Sequence, residues 1–470
     1  MTDRRITLPD APRRRTNGPL RLGGQNPCYF SDRDGDPVYL TGSHTWSSFQ
    51  ECFSGDLDEA FDFPAYVDWL VRHNHNFIRG WHWEQTSWDQ FTTERVPIRP
   101  LPFPRTGPGS AKDGLPTFDC ARIDEGYLRR LRERVALAGD HGIYVSVMLF
   151  QGWSSDIRRA GIPVGNPWDG HPFNRENNVN GLDGDPGLTG FGRAVHTLAV
   201  PSVTRTQESY VRAVVEHLND LDNVLYEIGN EHYEESYEWE EHMVRFIHEV
   251  EATLPYRHPV GMTSGGGGDD SVTNAQLLAS SAEFIAPRER NEPHAPYIND
   301  PPVPSGRQVV FSDTDHLWGL GGSVEWVWKS FTRGLNVLLM DPYEPMHGMD
   351  DDRWGAWCPL NRRDHPLFEP IRLSMGYSRV FAGRLDLGAV RPMPDLASSR
   401  FCLANPGTEY LVYLGDEAEV TMVIDKPGRE LRVEWFDPQT ASFADGAPVR
   451  GANPTLSSPF GPGSVLFLHT

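Results

Sequence analysis

The sequence predicts a (β/α)8 barrel followed by a small antiparallel β-sandwich. Three observations carry that prediction. Eight short apolar runs alternate with helically spaced stretches over roughly 340 residues, the pattern of parallel strands joined by crossover helices. Most of these runs end abruptly in polar and aromatic residues, as strands do where a barrel presents its site. From about residue 384 the helical spacing stops, and short strands separated by Asn, Pro, Gly and Asp take over.

The elements follow in order. Residues 1–21, rich in Arg and Pro, are expected to form a flexible leader, and the barrel to span 22–383. Tyr29–Phe30 and Val38–Leu40 flank the Asp34-Gly35 pair and read as a hairpin. The first barrel strand is expected to run from Val38 through Thr41 into His44 and Trp46. Tyr66, Trp69 and Leu70 space a helix over Phe63–Arg72, and the second strand, from Asn76, ends in Trp81-His82-Trp83. A Pro-rich insertion covers 96–116. The third strand, Ile143–Phe150, ends in Gln151-Gly152-Trp153. A second long loop runs from 154 to 200 and is rich in Gly, Asn and Asp.

The fourth strand is the most informative. Asn223-Val224-Leu225-Tyr226-Glu227-Ile228-Gly229 is an apolar run that stops at Asn230-Glu231-His232. Further strands are expected at His258–Thr263, Phe284–Ala286, Gln308–Phe311 and Asn336–Met340. The seventh leads into Asp313, Asp315, His316 and Trp318, and the eighth into Asp341 and Tyr343. After a helix near Leu367–Phe381, residues 384–470 supply the sandwich, with strands at Arg400–Ala404, Tyr410–Leu414, Val420–Ile424, Leu431–Trp435 and Val465–Leu468.

Composition narrows the function. The 470 residues, 38% hydrophobic and 23% charged, describe a soluble globular chain with one large domain and a smaller one. A formal charge of −22 argues against nucleic acid, because phosphate binding needs a concentrated basic surface. No run is long enough to span a membrane, and the N-terminus lacks the apolar core of a signal peptide. A cytoplasmic location is therefore expected, or a secreted one if a leader has been removed. Cys28, Cys52, Cys120, Cys358 and Cys402 are dispersed, which argues against a disulfide framework or a structural zinc site.

The strand ends suggest the chemistry. Cleaving a glycosidic bond needs one carboxyl group to protonate the leaving oxygen and a second to attack or to activate water. Glu231 and, across the mouth, Asp313 or Asp315 provide such a pair. Tryptophans at strand ends (Trp46, Trp81, Trp153 and Trp318) suit stacking on sugar rings. His44, His82, Gln151, His232, His316, Asp341 and Tyr343 are the expected polar contacts. A metal site could use the same histidines and aspartates, but the first strand lacks an HxH and the fourth a bridging lysine. No cofactor is expected. The glycines at 265–268 lack the Lys-Ser/Thr of a phosphate loop, and Asp350–Asp352 reads as a solvated edge.

Tyr226-Glu227-Ile228-Gly229-Asn230-Glu231 resembles the fourth-strand signature of the large clan of (β/α)8 glycoside hydrolases. Val38–Trp46, Asp313–Gly319 and Phe401–Leu414 are similar to cellulase-like and apiosidase-like proteins that join the barrel to a collagen-binding-type β-sandwich. The resemblance implies that Glu231 is the acid/base, protonated near neutral pH, and that Asn230 touches the 2-hydroxyl of an oligosaccharide, polysaccharide or glycoside. It also implies a Glu at the end of the seventh strand, where this chain has Asp313. The shorter side chain leaves two outcomes open. Retention corresponds to carboxyl separations of about 5 Å and inversion to about 6.5–9.5 Å. A catalytically inactive carbohydrate-binding scaffold and a metal-dependent hydrolase are the competing readings. The sandwich is expected to brace the barrel.

Overall fold

The structure, a computed structural model, describes residues 4–8, 15–52, 60–88, 96–155, 166–265, 271–289, 296–344, 360–424 and 428–470. Most of the glycine run at 265–268, together with Asp350–Asp352, Trp357 and Cys358, lies outside them.

Eight parallel strands close into a barrel: β1 (Thr41–His44), β2 (Phe77–Gly80), β3 (Tyr144–Gln151), β4 (Val224–Asn230), β5 (Val260–Thr263), β6 (Phe284–Ala286), β7 (Val309–Asp313) and β8 (Asn336–Met340). Val337 paired with Thr41 makes the closure between β8 and β1. Every residue of β3 and β4 is buried, as expected of strands walled on both faces. Two boundaries differ from the sequence reading. Val38 pairs with Phe30 across the Asp34-Gly35 turn, so the hairpin takes it and β1 starts only at Thr41. Strand β7 runs two residues further, which makes Asp313 both its last residue and the N-cap of the next turn.

Several helices begin where a side chain satisfies a free amide. Asp62 caps α1 (Phe63–Arg72), Asp124 caps α2 (Glu125–Asp140), and Thr273 with Gln276 forms a capping box on α5 (Asn274–Ala279). Between them, α3 (Pro201–Leu218) and α4 (Tyr237–Glu251) bury Val211, Val214, Trp239 and Met243 in the main core beside β3 and β4. Then come the single turn α6 (Thr314–Leu317), α7 (Val324–Thr332) and α8 (Phe368–Ala382). No helix among the described residues is long and apolar enough to cross a membrane. Leu20, Phe30, Phe77, Phe284 and Phe311 fill the end of the barrel opposite the mouth.

The C-terminal part is a six-stranded antiparallel sheet. Its strands are β9 (Arg391–Pro392), β10 (Phe401–Asn405), β11 (Glu409–Tyr413), β13 (Leu431–Asp437), β14 (Ser442–Val449) and β16 (Val465–His469), in the order β9-β10-β11-β16-β13-β14. A two-stranded ribbon, β12 (Glu419–Thr421) with β15 (Thr455–Ser457), accompanies it. Both faces are covered. Leu403, Leu411, Phe436 and Phe467 pack on Trp328 of α7 and Phe381 of α8, while Cys402, Val412, Trp435 and Leu466 pack on Val420 of the ribbon. Strand β14 escapes sequence reading because Ala-Asp-Gly-Ala-Pro has no apolar alternation, and at a sheet edge it needs none. Near the N-terminus, Ile6 donates a backbone hydrogen bond to Ala441, and Phe443 donates one to Arg4.

Candidate functional site

A buried arginine organises the mouth. Arg79 sits in β2 among Phe77, Ile78 and Gly80, and is 1% exposed. Its Nε donates to both oxygens of Glu227 at 3.0 and 2.8 Å, and its Nη2 to Glu227 Oε1 at 2.7 Å and Asn230 Oδ1 at 2.6 Å. Its Nη1 reaches Asp315 Oδ2 at 2.7 Å and lies 3.5 Å from Asp313 Oδ2. One guanidinium thus serves three carboxylates and an amide from β4, the end of β7 and α6. Burial works against its charge, but Glu227, Asp313 and Asp315 more than compensate and hold Arg79 protonated. Burial also pushes Glu227 upward, an effect that Arg79 opposes.

A second chain of contacts fixes Asp313. Trp81 Nε1 lies 2.6 Å from His44 Nδ1, and His44 Nε2 lies 3.0 Å from Asp313 Oδ1. An indole N–H can only donate, so His44 accepts at Nδ1 and carries its proton on Nε2, which donates to the aspartate. The amide of Asp315 donates to the same Oδ1 at 3.0 Å. Asp313 Oδ2 is buried without a hydrogen-bond partner. Burial raises this carboxyl group, but His44 and Arg79 outweigh burial and hold it well below the usual carboxylate range.

Glu231 follows β4 with φ +55 and is 8% exposed. This left-handed conformation is uncommon away from glycine and costs on the order of 1–3 kcal/mol, so neighbours must impose it. On one side Asn230, paired in register with Gln151, donates to Gln151 Oε1 at 3.2 Å. On the other, His232 Nδ1 meets Glu240 Oε1 of α4 at 2.7 Å. Two glycines make the room. A Cβ on Gly152 would lie 2.3 Å from the carbonyl oxygen of Glu231, and one on Gly229 would lie 2.4 Å from the His232 ring.

The structure therefore brings Asn230, His44, Trp81, Asp313, Asp315 and His316 around Arg79. His316 Nε2 is 3.9 Å from Asp315 Oδ2, and neither ring nitrogen has a hydrogen-bond partner. Trp46 and Trp153 join Trp81 and Trp83 in one aromatic cluster. Trp318 is half-buried, edge-on to Trp326. Other expected contacts have partners elsewhere. His82 bonds the Tyr127 hydroxyl at 3.0 Å and stacks on Tyr210. Asp341 is paired bidentately with Arg372 at 2.9 and 2.7 Å. Tyr343 packs among Tyr66 and Trp69 beneath Arg363.

Sequence reading missed Arg79, Glu227, Glu84, His196 and Glu240. A signal was present for the first two, because a charge in the middle of an apolar strand is sustainable only with a partner. His196 and Glu84 lie in loops whose convergence no spacing announces.

Burial pushes both His82 and His316 down to about 4. An unfolded histidine titrates near about 6.5, so the stability these rings contribute is complete above that pH and is lost as pH falls towards the folded values. Selective histidine NMR should find both rings neutral at about pH 5.5, where a free imidazole is mostly protonated. A ring titrating as free histidine does would contradict its burial.

No family model matches the chain, and no curated protein sequence does. Solved structures do. A glycoside hydrolase family 5 protein from Bacteroides vulgatus superposes with a TM-score of 0.61 at 12% identity, covering 96% of this chain and 94% of its own. A second solved glycoside hydrolase gives 0.60 at 11%, covering 96% and 97%. The chain shares its fold, barrel and C-terminal sheet together, with glycoside hydrolases.

Proposed function

We propose that the chain is a glycoside hydrolase in which Glu231 protonates the leaving oxygen and Asp313 is the ionised second carboxylate. The observation that carries this reading is the state of Asp313. It is held ionised, with one oxygen fixed by His44 and the Asp315 amide and the other without a hydrogen-bond partner. A group that must attack an anomeric carbon or take a proton from water needs such an oxygen. Asn230, next to Glu231, shares Arg79 with Asp313, so the ends of β4 and β7 converge on one guanidinium. Asp315, bonded to that guanidinium at 2.7 Å, is the positioning member of the pair. The half-buried Trp318 offers a ring to a sugar face.

The test is release of aryl alcohol from a panel of aryl α- and β-glycosides by wild type and Asp313→Asn. Turnover by wild type that collapses in the variant is expected. Full turnover by Asp313→Asn would remove Asp313 from the role. Sugar binding by calorimetry with no turnover of any glycoside would make the barrel a binding scaffold instead.

One observation favours a second reading. Asp313, Asp315 and His316 each offer a ligand atom, all within 4.8 Å of one another, and two carboxylates with an imidazole suit a divalent transition metal. Arg79 already places positive charge against both carboxylates, which ranks this reading second. Turnover is expected to survive dialysis against a chelator. Stoichiometric metal by elemental analysis, with activity lost on its removal, would reverse the order.

A further inference from the structure

The two chain neighbours of Glu231, Asn230 and His232, are joined by a path of buried contacts. From Asn230 the path runs to Gln151, whose backbone N–H donates to Glu84 Oε2 at 2.8 Å. Glu84 Oε2 also meets His196 Nε2 at 2.9 Å, and the His196 ring lies 4.5 Å from the His232 ring, centroid to centroid. His232 ends the path on Glu240, 2.7 Å away. All of these side chains are buried, and Glu240 is 0% exposed. A carboxylate at that depth destabilises the fold unless it has a full set of partners, and Glu240 Oε2 has no hydrogen-bond partner.

We propose that Glu240 is a positioning residue that acts through His232 to hold Glu231 in its left-handed backbone conformation. Its effect on turnover rests on the glycosidase reading above; its effect on geometry does not. Gly229 leaves space for the His232 ring directly over the strand, where His196 and Trp239 pack against it and the bond to Glu240 fixes its orientation. With that directional bond removed, the ring can turn against its neighbours, and His232 no longer opposes the preference of residue 231 for negative φ.

Crystal structures of Glu240→Met and Glu240→Gln test this, together with kinetics on an aryl glycoside that wild type cleaves. Met keeps the volume and removes the polar partner. Gln keeps it, because an amide can donate or accept across the bond to His232. In Glu240→Met, residue 231 is expected to leave the left-handed region, and kcat to fall by about 100-fold with KM little changed, as misplacement of a reacting group does. In Glu240→Gln the φ and most of the turnover are expected to be retained. Should Glu240→Met not fold, Glu240→Asp shortens the reach to His232 and is expected to displace residue 231 in the same way. A left-handed residue 231 in Glu240→Met, or in Glu240→Asp where that variant replaces it, would overturn the proposal. Displacement of residue 231 in a chain that cleaves no glycoside would uphold the clamp and defeat only the glycosidase reading.

Discussion

Glu231→Gln is expected to lower turnover of glycosides with poor leaving groups by about 10²- to 10⁴-fold, the usual worth of a positioned general acid. The loss should shrink as the leaving group improves, because a nitrophenolate needs no proton to depart. This dependence separates loss of the acid from general damage to the site, which would slow every substrate alike. The amide is close to isosteric with the carboxyl group, so the left-handed backbone at 231 and the contacts of Asn230 and His232 should survive. An equal loss across leaving groups would mean that Glu231 acts in some other way.

Arg79→Met is expected to have the largest effect on the fold. It leaves Glu227, Asp313 and Asp315 buried without their shared cation, and breaking a buried pair from one side typically costs about 3–5 kcal/mol. Arg79→Lys should recover part of the stability but little of the turnover. A lysine carries the charge without the planar fork that reaches Glu227, Asn230 and Asp315 at once. Thermal unfolding of the three proteins checks the order wild type, Lys, Met. A Met variant as stable as wild type would show that the three carboxylates do not depend on Arg79 for their charge.

Much of this architecture was legible in the sequence because its signals are local. Apolar runs such as Tyr144–Gln151 and Val224–Asn230, short and bounded by turn residues, read as buried strands. The polar strand ends announced the mouth, with Asn230, Glu231 and Asp313 among them. What could not be read was which way each side chain turns. Trp81 and His82 are neighbours in sequence, yet one bonds His44 at the mouth and the other bonds Tyr127 on α2. Asp341 stands at a strand end like Asp313, but Arg372, some thirty positions on, takes both its oxygens. Long-range partners decide such roles, and a single sequence gives no distance between them.

The most direct test of the central claim is a crystal structure of Glu231→Gln with the best substrate from the glycoside panel bound. The account predicts the anomeric carbon between residue 231 and Asp313, with the 2-hydroxyl against Asn230 and a ring face on Trp318. A cavity of about 430 Å3 opens at the far end of the barrel between Leu20, Tyr256 and His258, away from all of these carboxylates. A sugar bound there, or at the mouth with its anomeric carbon out of reach of Asp313, would contradict the account.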